Sequence, residues 1–236
     1  MVAEKKIMAD PAALVLAAAE QFIQTADTAI KARGVCYIAL AGGSTPKGLY
    51  QKLATEEYSK RLDWSRIHLF FGDERCVMPD HADSNFRMAS EAMMNHIDIP
   101  ITNIHRMPTE LSPERVAISY EEEIKAVLNH QPFDLVLLGL GPDGHIASLF
   151  PDTAALSVTE TLTTALYVEK FDSWRVTMTY PVLNSARQII VFIAGEAKAE
   201  IVQQITTEAT TGLPVQQLAP RGQYYWYLDR AAAGMS

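Results

Sequence analysis

Short runs of apolar and β-branched residues recur along the chain at Val35 to Ala41, Ile67 to Phe71, Leu135 to Gly139, Ile189 to Ala194 and Tyr224 to Leu228. Each predicts a strand of one sheet. Between them, apolar positions at helical spacing, or helix start signals, mark Ala12 to Lys31, Pro46 to Leu53, Asn85 to Met94, Pro113 to Leu128 and Glu196 to Thr206. Asp10-Pro11 and Ser112-Pro113 read as an N-cap followed by a proline in the first turn, where a missing N–H costs nothing. Strands alternating with helices imply right-handed crossovers. The expected fold is therefore α/β, a doubly wound, mainly parallel sheet. No repeat, low-complexity tract or long Pro/Ser linker divides the sequence, so residues 1–236 are expected to form a single domain, with 97–113 as a surface connection.

In open sheets of this kind ligands collect beyond the carboxyl ends of the strands, and three such junctions are polar and glycine-rich. The first is Ala41-Gly42-Gly43-Ser44-Thr45-Pro46. It reads either as a well-capped strand-to-helix turn or as a phosphate cradle. In the second reading Gly42 and Gly43 admit a ligand close to the backbone, Ser44 or Thr45 caps the helix, and the free N–H groups face an anion. The Walker pattern is not met, since Leu49 stands where a lysine would follow Gly48.

The second junction is Gly72-Asp73-Glu74-Arg75. Arg75 either pairs with Asp73 or Glu74 in a solvated turn, or offers its planar cation to a ligand oxygen while the acids hold it. The third, Gly139-Leu140-Gly141-Pro142-Asp143-Gly144-His145, formally satisfies G-x-G-x-x-G, with Glu160 about 20 residues on. A dinucleotide site should open a long helix, but Pro151 interrupts after barely one turn. What remains is a tight loop presenting Asp143 and His145 at a strand end, a pairing suited to general-base chemistry near neutral pH. Arg175 and Lys198 add basic charge from the C-terminal half. Lys198 sits in a helix's first turn, where the dipole disfavours a cation unless an anion is near.

Composition narrows the partners. A net charge of -8 argues against nucleic acid or an anionic membrane, because either needs a positive surface. Two cysteines, Cys36 and Cys76, indicate neither a disulfide framework nor a zinc site, and the histidine spacings match no metal motif. Lys5 and Lys6 precede an apolar run, but Asp10 and Pro11 interrupt it, so the expected location is the cytoplasm rather than an export route. Ser148 lacks a nucleophile elbow.

Taken together, these segments resemble the 6-phosphogluconolactonase family, part of a wider group that includes the glucosamine-6-phosphate deaminases. The resemblance runs through Ala41 to Pro46, Gly72 to Arg75 with Pro79, Asp80, His81, Ser84 and Asn85, and Asp134 to Gly139. It continues through Gly141, the string Asp143-Gly144-His145-Ile146-Ala147-Ser148-Leu149-Phe150-Pro151, Arg175, Thr177, Gly195 with Lys198, and Trp226 to Asp229. Ala41 departs from the serine of many relatives, without consequence for a backbone cradle. The resemblance implies a Rossmann-like three-layer fold and cofactor-free, metal-free hydrolysis of 6-phosphoglucono-1,5-lactone to 6-phosphogluconate, the second step of the oxidative pentose phosphate pathway. It implies His145 as the base that activates water, Asp143 as its partner and Arg75 as a cation near the lactone. Gly42, Gly43, Ser44, Thr45, Asp73, Arg175 and Lys198 are then expected to bind the phosphorylated substrate, in a monomer or small homo-oligomer. Deaminase relatives carry Asp-Glu-Tyr where this chain has Asp73-Glu74-Arg75, and a Glu where it has Phe150. A sugar-phosphate sensor would need a DNA-binding segment that is not visible.

Overall fold

A computed structural model describes residues 3–207 and 212–235. In chain order the elements are β1 (Glu4–Met8), α1 (Pro11–Arg33), β2 (Cys36–Leu40), α2 (Ser44–Leu53), α3 (Glu56–Ser59), β3 (Ile67–Phe71), β4 (Asp73–Arg75), α4 (Asn85–Ala92) and α5 (Pro113–Leu128). They continue with β5 (Leu135–Gly139), β6 (Thr163–Val168), β7 (Ser173–Met178), α6 (Tyr180–Ser185), β8 (Gln188–Ile193), α7 (Ala199–Thr207) and β9 (Gln223–Asp229).

Six strands form one wholly parallel sheet in the order β1-β9-β8-β5-β2-β3. Alternating side chains explain how it is covered. Leu135 and Leu137 point into a core shared with Leu14 and Phe22 of α1 and Leu49 of α2, whereas Val136 and Leu138 point into one shared with Tyr120 of α5, Leu183 of α6 and Ile201 of α7. Helices thus cover both faces, giving the expected doubly wound, three-layer α/β architecture. Buried Asp134 ties β5 to its neighbour: its carboxylate accepts from the Tyr37 N–H at 2.9 Å and from Arg33. Deleting one large core side chain, such as Phe22, costs about 3–5 kcal/mol.

Three features depart from the expectation. β1 adds a sixth, edge strand before α1, beginning where the sequence shows only lysines and a short apolar run. A second, antiparallel sheet of order β4-β7-β6 stands beside the first. The 97–113 connection is not simply a surface loop: Asn103, His105 and Met107 are buried, and the His105 ring stacks on Phe70 at 4.2 Å. Asn103 Nδ2 donates to the carbonyls of Ser65 and Ile67, which supplies the polar partners a buried connection needs.

Candidate functional site

β2 and β5 are neighbours, yet the chain leaves β2 toward β3 on one side and β5 toward β8 on the other. The order reverses between them, and a crevice opens beyond their carboxyl ends. A cavity of about 580 Å³ lies there. Gly42, Gly43, Ser44, Thr45, Asp73, Arg75, His145, Arg175 and Lys198 all line it, and Asp143 lies outside that lining, against the His145 ring.

The loop after β2 is fixed from below. Fully buried Tyr50 of α2 accepts the Ala41 N–H at 2.9 Å and donates to the Ala41 carbonyl at 2.8 Å. Gly42 must be glycine, because a Cβ there would lie 2.2 Å from Asn85 Oδ1. Neither Ser44 nor Thr45 caps α2. The helix starts two residues earlier than the expected Pro46, with Gly43 as N-cap at φ 104°, a left-handed conformation that favours glycine. Ser44 and Thr45 are therefore first-turn residues whose N–H groups have no partner within the helix. With their hydroxyls and the positive end of α2, they form an anion-accepting concavity.

The loop after β5 is built to present one ring. Gly144 takes φ 75°, its carbonyl accepts from the Val215 N–H at 3.1 Å, and the Gly141 N–H donates to the His145 carbonyl at 2.8 Å. The His145 ring lies between Phe150, with centroids 4.2 Å apart, and the Gly141 backbone, where a Cβ would come within 1.9 Å of Nδ1. No helix follows. Ala147 adopts φ 48°, and the chain doubles back through an Ile146–Leu149 bridge that brings Phe150 onto the ring.

His145 Nδ1 contacts Asp143 Oδ1 at 2.5 Å. Burial pulls the imidazole below its ordinary value even though Asp143 opposes this. Burial works to raise the Asp143 carboxyl, but hydrogen bonds from Lys170 and His145 outweigh it and hold it at about 2. At neutral pH the pair is thus a carboxylate and a neutral imidazole. The carboxylate accepts a hydrogen bond from Nδ1–H, leaving the lone pair on Nε2, the arrangement a general base requires.

The antiparallel sheet supplies cations. Arg75 of β4 sits directly opposite Arg175 of β7. Like charges so placed repel, and the Nε of each is buried without a hydrogen-bond partner among the described residues. Burial and the neighbouring Arg75 pull the Arg175 pKa down. This is a pair poised for an anion. The sequence alternative in which Arg75 pairs with Asp73 or Glu74 is not what forms: Arg75 Nη1 donates to the Asp83 carbonyl at 2.5 Å. Glu74 turns inward and accepts from the N–H groups of Arg75, Asn85 and Phe86 at 2.7–2.8 Å, fixing the start of α4. Asp73 faces the cavity, oriented by Ser148 Oγ at 2.6 Å and Asn85 Nδ2 at 3.3 Å. Lys198 ends a 3-10 turn whose preceding Gly195 N–H donates to Asp229 at 2.9 Å, and burial lowers its pKa. Among the described residues no group of His, Cys, Asp or Glu is disposed to hold a metal ion.

Sequence reasoning did not single out Ser148 as the residue that orients Asp73, or Lys170 as a partner of Asp143. Ser148 lay inside the recognised string, and only the fold reveals its partner. Lys170 carried no sequence signal.

The family model for glucosamine-6-phosphate isomerases/6-phosphogluconolactonase matches residues 9–226. A 6-phosphogluconolactonase of Nostoc sp. is 40% identical over 235 residues, covering 96% of this chain and 95% of that protein. One of Synechocystis sp. is 45% identical over 212 residues, covering 86% of each. The solved 6-phosphogluconolactonase of Trypanosoma cruzi superposes with a TM-score of 0.89 at 29% identity, covering 99% of this chain and 96% of that one.

Proposed function

This chain belongs to the glucosamine-6-phosphate isomerase/6-phosphogluconolactonase family, and from that premise we propose that it hydrolyses 6-phosphoglucono-1,5-lactone to 6-phosphogluconate with His145 as general base. The observation that carries this reading is the Asp143–His145 pair at the edge of a cavity that also holds Arg75, Arg175 and Lys198. His145 Nε2 takes a proton from water, and the hydroxide equivalent adds to the lactone carbonyl. The oxyanion that forms draws on Arg75, a cation already in place before reaction. Collapse of the tetrahedral adduct breaks the ring C–O bond, and the imidazolium returns its proton to the departing ring oxygen. Base and acid are the same residue, and no covalent enzyme intermediate is needed.

The phosphate takes the other end of the cavity, held by the backbone of Gly42 and Gly43, the N–H and hydroxyl groups of Ser44 and Thr45, Arg175 and Lys198. Asp73 accepts from a sugar hydroxyl. Since both sheets supply site residues, residues 1–236 act as one catalytic unit. Phe150, rather than a carboxylate, packs on His145, which favours hydrolysis over the ring opening carried out by the deaminase branch.

The test is release of 6-phosphogluconate from freshly made lactone, corrected for spontaneous opening, with EDTA present, and release of ammonium from glucosamine 6-phosphate alongside. Lactone opening above the blank without ammonium supports the proposal. Opening equal to the blank overturns it.

A further inference from the structure

The tip of the β6–β7 hairpin reaches across to the loop after β5. There Lys170 Nζ donates to Asp143 Oδ2, while Asp143 Oδ1 contacts His145 Nδ1. The same ammonium lies 4.6 Å from the Phe150 ring centroid and 4.9 Å from that of Phe171, and Phe150 is the ring packed on His145. Lys170 therefore touches two of the groups that hold the imidazole. It does not line the cavity in which His145, Arg175 and Lys198 meet. We propose that Lys170 is a positioning residue for the reaction, fixing the Asp143 carboxylate so that it holds the His145 imidazole by Nδ1.

Without a second partner, Asp143 would be free to turn. Its side chain is about one-third exposed, and a carboxylate on a loop can turn so that either oxygen, or water, faces the ring. Lys170 occupies Oδ2 and the His145 backbone N–H also approaches Oδ1 at 3.3 Å. With both oxygens engaged, rotation is restricted and one oxygen is left for Nδ1. The lysine is placed for this by its own strand ends: Asp172 takes φ 45° and accepts a hydrogen bond from Tyr167, closing the hairpin tip. Stacking against Phe150 and Phe171 supports the ammonium from the apolar side. The charge has a second consequence. Lys170 disfavours a further positive charge on the imidazole and favours the ionised carboxylate. Removing it raises the pKa of both groups.

This inference rests on the reading of His145 as the base, and the experiment keeps the two apart. The pH dependence of kcat and KM is measured for wild type, Lys170→Met, Lys170→Arg and His145→Ala on the phosphorylated lactone. Lys170→Met is expected to lower kcat about 2- to 5-fold with KM within about twofold, the scale of a partly exposed charge pair acting through one group. Its acid limb in kcat/KM moves to higher pH by about half a unit, because the imidazole then protonates more readily. Lys170→Arg keeps a donor to Oδ2 and restores most of kcat and the wild-type limb. A purely structural role would lower stability without moving the limb. A wild-type limb and kcat in Lys170→Met, or a loss confined to KM, overturns the positioning role while His145→Ala remains inactive. If His145→Ala keeps wild-type activity, the base reading fails and this proposal falls with it.

Discussion

The two sheets of this molecule contribute to the same cavity by different means. The parallel sheet offers backbone: its β2 and β5 loops present N–H groups, left-handed glycines and a single ring wedged against Gly141. The antiparallel sheet offers side-chain charge: Asp73 and Arg75 from β4 and Arg175 from β7, with Lys170 of the hairpin tip bonded to Asp143 behind the cavity wall. The β2 and β5 loops are fixed by specific bonds: Tyr50 holds Ala41 at both its N–H and its carbonyl, and the Gly141 N–H is tied to the His145 carbonyl. The facing arginines are the opposite, a like-charge pair that the unliganded protein must tolerate. One sheet positions; in the proposed reading the other holds a like-charge pair, offset in part by Asp73, Glu74 and Asp83, that a bound anion would relieve.

The largest effect should come from disturbing the rigid side. Gly141→Ala puts a methyl where the His145 ring now lies, so the ring must shift. A displacement of about 1 Å is expected to lower kcat roughly 100-fold, with binding of 6-phosphogluconate, read by calorimetry, little changed. Retention of wild-type kcat would mean that the ring's place is not set by this contact.

Arg175→Met probes the other sheet and should separate binding from stability. Losing a charge-assisted contact is expected to raise KM roughly 10- to 100-fold. In the same variant the melting temperature of the unliganded protein should rise by about 2–4 °C, since a buried unpaired donor and its repulsion with Arg75 are both gone. A fall in melting temperature contradicts this account of the like-charge pair even if KM rises. The smallest effect is expected for Ser148→Ala. Asp73 loses its 2.6 Å partner but keeps Asn85, so activity should drop only about 3- to 5-fold, as for loss of one net hydrogen bond. A larger drop would show that Asp73 orientation matters more than its hydrogen-bond count suggests.

The same contrast explains what could be read from sequence. The five strand runs that were legible all belong to the parallel sheet, because strands buried on both faces are nearly continuous apolar runs. Its loops were legible through glycine strings that few other structures require. β1 was not, since Glu4, Lys5 and Lys6 carry the polarity of an edge strand, and Lys6 covers the Tyr225 ring at 4.0 Å instead of continuing a core. The small sheet was hidden for a related reason. β4 is three polar residues, Asp73 to Arg75, and nothing local tells that Arg75 will face a residue 100 positions later. Pairings across such distances are decided by topology. Lys170, between Glu169 and Phe171, looks like any surface lysine until the hairpin sets it on Asp143.

If His145 moves the proton while the two sheets hold the substrate, as proposed, catalysis and binding must separate in the same His145→Ala protein. Lactone hydrolysis, corrected for the spontaneous rate, should fall by at least about 100-fold, as expected for a lost general base, while the Kd for 6-phosphogluconate stays within about threefold of wild type. A variant that still hydrolyses the lactone at a rate close to wild type, or one that loses binding in proportion to rate, would contradict the account.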